Sequence, residues 1–89
     1  VRDRFEAVRE QIARNDEAIV AAVNRRLELV SELWQLKLEL GLDTVDPDRE
    51  RLLRQRLTAA STGQLSPEGV DRLVTELLDL TKRELGASP

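Results

Sequence analysis

The chain has 89 residues, fourteen Lys plus Arg against seventeen Asp plus Glu, and a formal charge of -3 at pH 7, with 40% hydrophobic and 35% charged residues. That length supports one small domain, too apolar for a disordered acidic tail and too charged for a membrane span. Cys and His are both absent, which excludes a disulfide framework, a structural zinc site and every Cys or His nucleophile or base. A pI near 5.0 argues against broad nucleic-acid binding while leaving room for a local anion site. No signal-like apolar run is present, so the expectation is a cytoplasmic protein or an excerpt from a longer one.

Glycine stands only at 41, 63, 69 and 86 and proline only at 47, 67 and 89. Residues 3–40, rich in Ala, Leu, Glu and Arg, therefore predict one very long helix capped by Gly41, the alternative being two helices with a hidden turn. Asp46-Pro47-Asp48 signals a second helix over residues 47–60, with Asp46 capping free amides and Pro47 opening the first turn. Ser61, Thr62 and Gly63 predict a turn. Ser66-Pro67-Glu68 repeats the cap-then-proline signal for a third helix over residues 67–85, ended by Gly86. Apolar faces are expected from Leu52, Leu53, Leu57 and Ala60 on the second helix and from Val70, Leu73, Val74, Leu77, Leu78 and Thr81 on the third. No strand pattern or internal repeat appears, so the fold class is all-α, a single helical domain over residues 1–89.

A helix over residues 3–40 is about 57 Å long, whereas a compact globule of this chain length has a diameter of about 31 Å. Two short helices cover only part of such a rod. An intertwined homodimer buries the rest with one self-complementary surface. The competing expectation is an elongated monomer tethered to a further domain.

Along the first helix, Phe5, Arg9, Ile12, Asp16, Ile19, Val23, Arg26, Val30, Leu33, Lys37 and Leu40 recur at alternating spacings of three and four, the seam expected to face a neighbour. Arg9, Asp16, Arg26 and Lys37 interrupt it, and buried unpaired charge costs several kcal/mol, so these groups need pairing, solvent or a bound anion. Snorkelling or ion pairing explains each singly. Together they say more, because Arg26 and Lys37 lie three turns apart, about 16 Å, and only about 20° out of register. Arg9 is about 25 Å from Arg26 along the same helix and about 100° off its direction, so it cannot reach the same small ligand within one chain, whereas an antiparallel partner could place its Arg9 there. Lys37 and Lys82 are the only lysines among the fourteen cations, and an ammonium is a point charge unlike the planar fork of Arg. Arg49 and Glu50 supply a second anchor in the first turn of the second helix, where Asp48 and Glu50 also complement the helix dipole. Arg9 from one chain with Arg26, Lys37, Arg49 and Glu50 from the other suits a small dianion bearing a hydroxyl. The set holds no activated nucleophile, so its chemistry is positioning and fixed charge.

This array resembles the all-helical chorismate mutases of the shikimate pathway. The family pattern is met by Arg9-Glu10-Gln11-Ile12, by Asp16 seven residues after the Arg, by Arg25-Arg26, by Lys37 eleven residues further on, and by the segment Asp46 to Glu50, in order and over nearly the whole chain. The resemblance implies an isomerase of aromatic amino acid biosynthesis that converts chorismate to prephenate by a Claisen-type rearrangement, with no metal and no organic cofactor. It implies three interlocking helices from each of two chains. It also implies that Arg9 of the partner and Arg26 hold the substrate carboxylates, that Lys37 meets the ether oxygen and a carboxylate, and that Asp46 contributes backbone near the hydroxyl. Arg49 then organises the polar wall, Glu50 accepts from the hydroxyl, and Thr81 joins the substrate-binding set.

Two positions depart from the pattern. Four residues after Thr81 the family commonly carries Gln or Glu as a second donor to the ether oxygen, and here Leu85 stands there; Glu84 serves only with a one-residue adjustment and its proton in place. Trp34 stands where many relatives have a small residue, and is expected to pack against the second or third helix or else to form a pocket wall or a partner surface. The missing donor makes an activating complex with the first enzyme of the shikimate pathway worth testing. Isochorismate-pyruvate lyase is the rival activity on the same fold, and a helical dimerising module without catalysis is the rival outside enzymes.

Overall fold

The computed structural model describes residues 1–43 and 47–86. Three helices make up the fold: α1 (Arg2–Leu40), α2 (Pro47–Ala60) and α3 (Pro67–Leu85). Among the described residues there is no strand. The first helix is unbroken, so the alternative of a hidden turn within it falls away.

Each helix end is set by chemistry local to it. Gly41 takes the left-handed conformation, φ 69° and ψ 28°, its amide donating to the Leu38 carbonyl, while the Leu42 amide donates to the Lys37 carbonyl at 2.9 Å. That pairing satisfies carbonyls that would otherwise be orphaned, and a side chain with a Cβ is strained at this φ. At the start of α3, the Ser66 hydroxyl accepts from the Gly69 amide at 3.0 Å and Pro67 opens the first turn. Pro67 has no amide hydrogen to leave unsatisfied there. Pro47 occupies the same place in α2; the cap expected from Asp46 lies outside the described residues. Between α2 and α3 the Ser61 hydroxyl donates to the Leu65 carbonyl at 2.8 Å, closing a short connection that makes the two helices antiparallel neighbours.

The third helix packs against both of the others, while among the described residues α1 and α2 do not pack on each other. The small core lies under α3, where Val70 and Val74 are buried and Thr81 is 7% exposed. Along α1, the half-buried residues Val23, Arg26, Leu27, Val30, Trp34 and Lys37 form one stripe, the i, i+3, i+4, i+7 signature of a single helix face. Trp34 therefore belongs to the packed stripe. Leu52, Ala60 and Leu73 depart from expectation, because all three are exposed in the single chain. One chain supplies only a narrow contact to each helix, and the outer edges of the apolar faces are left uncovered.

The long helix dominates the dimensions. The chain extends 59 × 23 × 18 Å with a radius of gyration of 16.7 Å, where a compact chain of this length has about 12 Å. Its accessible surface is 7525 Å², against about 5,300 Å² for a compact monomer of the same mass. The excess is concentrated on the first half of α1, where every residue from Arg2 to Ala22 is exposed, Phe5, Ile12, Ile19 and Val20 among them.

Candidate active site

The middle of α1 and the last turns of α3 meet at a polar contact inside an otherwise apolar junction. Arg26 Nη1 donates to Thr81 Oγ1 at 2.6 Å, and Thr81 Oγ1 donates in turn to the Leu77 carbonyl at 2.8 Å. A hydroxyl has one proton. With that proton committed to its own helix, Thr81 offers Arg26 a lone pair, and the half-buried guanidinium is aimed by it. Burial pushes the Arg26 guanidinium below its ordinary value, because desolvation disfavours the charged form. A cation held under that pressure gains from a carboxylate brought alongside it.

Lys37 lies three turns further along the same half-buried stripe, in the last turn of α1. A positive charge there is favoured by the negative end of the helix dipole. Arg49 and Glu50 occupy the exposed first turn of α2. Glu50 Oε1 accepts from Arg54 Nη2 at 3.1 Å. Asp46, expected in the same constellation, lies outside the described residues. Leu85 is half-buried four residues after Thr81, on the same side of α3.

Arg9 is elsewhere. It is exposed seventeen residues before Arg26 on a continuous helix, with its guanidinium over the Phe5 ring, 5.5 Å from the centroid. That cation–π contact holds the side chain against α1 itself. Within one chain, then, Arg26 and Thr81 are brought into contact, Lys37 shares their helix stripe, and Arg9 stays on the uncovered half of α1.

One residue of the site region escaped sequence reasoning. Arg54 donates from Nη2 to Glu50 and to Thr75 Oγ1 at 3.2 Å, and from Nη1 to the Asp71 carboxylate and, at 3.0 Å, to the Asp71 carbonyl. Hydrogen bonds donated to Glu50 and then to Asp71 push its guanidinium above the ordinary value. The four-residue spacing from Glu50 to Arg54 on α2 was legible as an ion-pair register; the partners on α3 were not.

The amino-acid sequence matches the family model of chorismate mutase type II over residues 8–84. The chain belongs to that family. Two solved chorismate mutase structures from Thermus thermophilus share its architecture. Form I superposes with a TM-score of 0.80 at 32% identity, covering 88% of this chain and 98% of that one. Form II gives 0.77 at 34% identity, with 91% and 97% covered. No curated protein matches. The chorismate mutase match spans α1 from its second turn to the last turn of α3, so it takes in Arg9, Arg26, Lys37, Arg49, Glu50 and Thr81 alike.

Proposed function

We propose that this protein is a chorismate mutase, an isomerase that converts chorismate to prephenate in a homodimer whose two sites each borrow Arg9 from the other chain. Family membership supports the reaction, and the observation that carries the site is Arg26. It is half-buried, fixed by Thr81 and on one stripe with Lys37. In the proposed site Arg26 and Arg9 of the partner clamp the two carboxylates of an extended dianion and bring it into a compact chair-like form. The entropy of that rearrangement is thereby lost on binding rather than in the barrier. As the carbon–oxygen bond breaks, negative charge grows on the ether oxygen. Lys37 stabilises that charge more in the transition state than in the ground state. Glu50 accepts from the substrate hydroxyl, Asp46 lends backbone beside it, and Arg49 shapes the polar wall. Thr81 acts by holding Arg26. The step is pericyclic, so no cofactor is called for.

The dimer reading draws on surface. The roughly 2,200 Å² by which this chain exceeds a compact monomer, taken for both partners, falls in the range of obligate homodimer interfaces, about 2,000–5,000 Å². The apolar half of α1 is the surface such an interface covers. Among the described residues no helix is long and apolar enough to cross a membrane, and the setting proposed is the cytoplasm. Leu85, apolar where a second donor to the ether oxygen is expected, supports a dependence on an activating partner, the first enzyme of the shikimate pathway.

Incubation with chorismate, with and without that partner enzyme, tests the assignment by prephenate formed. Isochorismate is supplied in parallel and pyruvate release followed. Prephenate is the expected product, and Lys37→Ala is expected to lose about two to three orders of magnitude in kcat while the dimer persists. Pyruvate from isochorismate with little prephenate from chorismate makes the protein a lyase instead, and inactivity toward both leaves a dimerising module.

A further inference from the structure

Glu50 stands in the exposed first turn of α2, a setting in which a glutamate is free to turn toward solvent. Here a guanidinium one turn later holds one of its oxygens. Arg54 is the most enclosed member of that contact, its side chain 27% exposed against 52% for Glu50. Its two terminal nitrogens both reach α3, and one of them also reaches back along α2. Nη2 reaches back to Glu50 at 3.1 Å and across to Thr75 at 3.2 Å, while Nη1 takes both the carboxylate and the carbonyl of Asp71. Thr75 Oγ1 donates to that same Asp71 carbonyl at 3.1 Å, so the receptor on α3 is itself fixed. Arg51, by contrast, pairs among the described residues with Asp48 of its own helix, at 3.7 Å.

We propose that Arg54 is a positioning residue for the reaction: anchored to α3 through Asp71 and Thr75, it pins Glu50 Oε1 so that Oε2 is presented to the substrate hydroxyl. The inference deepens the mutase reading and rests on the role given there to Glu50. The chemistry demands arginine. Only a planar fork with donors on separate nitrogens reaches carboxylates on two helices at once, whereas an ammonium on a lysine stem satisfies one or the other. A carboxylate fixed in advance loses no rotamer freedom when substrate arrives, and misplacement by about 1 Å costs up to about a hundredfold in rate.

The test is a double-mutant cycle on kcat/KM for chorismate, run on the assembled protein with wild type, Arg54→Met, Glu50→Ala and the double variant, and with thermal midpoints recorded for all four. Arg54→Met is expected to lower kcat/KM about tenfold alone and less than about twofold once Glu50 is gone, since a residue acting through another has nothing left to act on. Arg54→Lys is expected between wild type and Arg54→Met, and carries the same cycle should the methionine variant fail to assemble. Losses that multiply in the two backgrounds, or an Arg54→Met enzyme as active as wild type, overturn the inference while leaving the mutase reading intact. A wild-type protein that forms no prephenate overturns both.

Discussion

Replacing Thr81 by Val removes one oxygen from the junction of α1 and α3 while keeping the branched shape of the side chain. Thr81 is 7% exposed and accepts from Arg26 Nη1 at 2.6 Å, so no bulk solvent stands ready on that side of the guanidinium to take the proton. A hydrogen bond to a charged group contributes about 1.5–3 kcal/mol, and the lower end applies because Arg26 is only half-buried. About 1.4 kcal/mol is a factor of ten in rate. Thr81→Val is therefore expected to lower kcat/KM for chorismate about tenfold and to weaken binding of a bicyclic dicarboxylate transition-state mimic by a similar factor, the released Arg26 no longer being aimed. Thr81→Ser keeps the oxygen, and its expected loss is about twofold. The assay is chorismate consumption beside calorimetric titration of the mimic, with dimer content checked by sedimentation. An intact Thr81→Val dimer with wild-type kcat/KM refutes the reasoning, and so does a Thr81→Ser variant as impaired as Thr81→Val, since that places the effect in packing.

Mixing inactive Arg9→Ala and Arg26→Ala chains after co-refolding tests the shared site: random pairing restores one good site in half of the dimers, hence about a quarter of wild-type activity, and no recovery denies the exchange of Arg9. Introducing Ile12→Asp with Ile19→Asp on the uncovered half of α1 is expected to convert the protein to a monomer by sedimentation and to abolish turnover, each isoleucine losing about 1.5–3 kcal/mol of burial; a dimer that survives points to another interface. Leu85→Gln, which supplies an amide donor four residues from Thr81, is expected to raise kcat about tenfold or more in the absence of any partner enzyme. An unchanged or lower kcat locates the second donor elsewhere.

The helical architecture was legible because its punctuation is sparse. Between Arg2 and Leu40 no glycine or proline offers a break, and Gly41, Pro47, Pro67 and Gly86 stand where helices start or stop. The common stripe of Arg26 and Lys37 was legible too, eleven residues being close to three whole turns. What the chain order did not reveal is contact between elements. Arg26 and Thr81 are fifty-five residues apart, and their meeting depends on where α3 crosses α1. Arg54 was passed over for the same reason: it is one of four arginines on α2, with Arg49, Arg51 and Arg56, and nothing sets it apart until Asp71 and Thr75 are seen on the facing helix. Leu52, Ala60 and Leu73 were assigned to a core on period alone, and period says which residues share a face without saying whether anything covers it.

Because α1 runs unbroken from Arg2 to Leu40, the sixteen residues between Arg9 and Arg26 act as a gear as well as a spacer. Adding one residue there turns Arg9 by about 100° and advances it by about 1.5 Å, while adding seven restores its phase to within about 20° but displaces it by about 10.5 Å. No insertion or deletion in this stretch preserves both angle and reach. In the proposed dimer each rod serves two sites, so a single frame slip disables both pockets together, and this stretch is expected to tolerate substitution far more readily than any change of length.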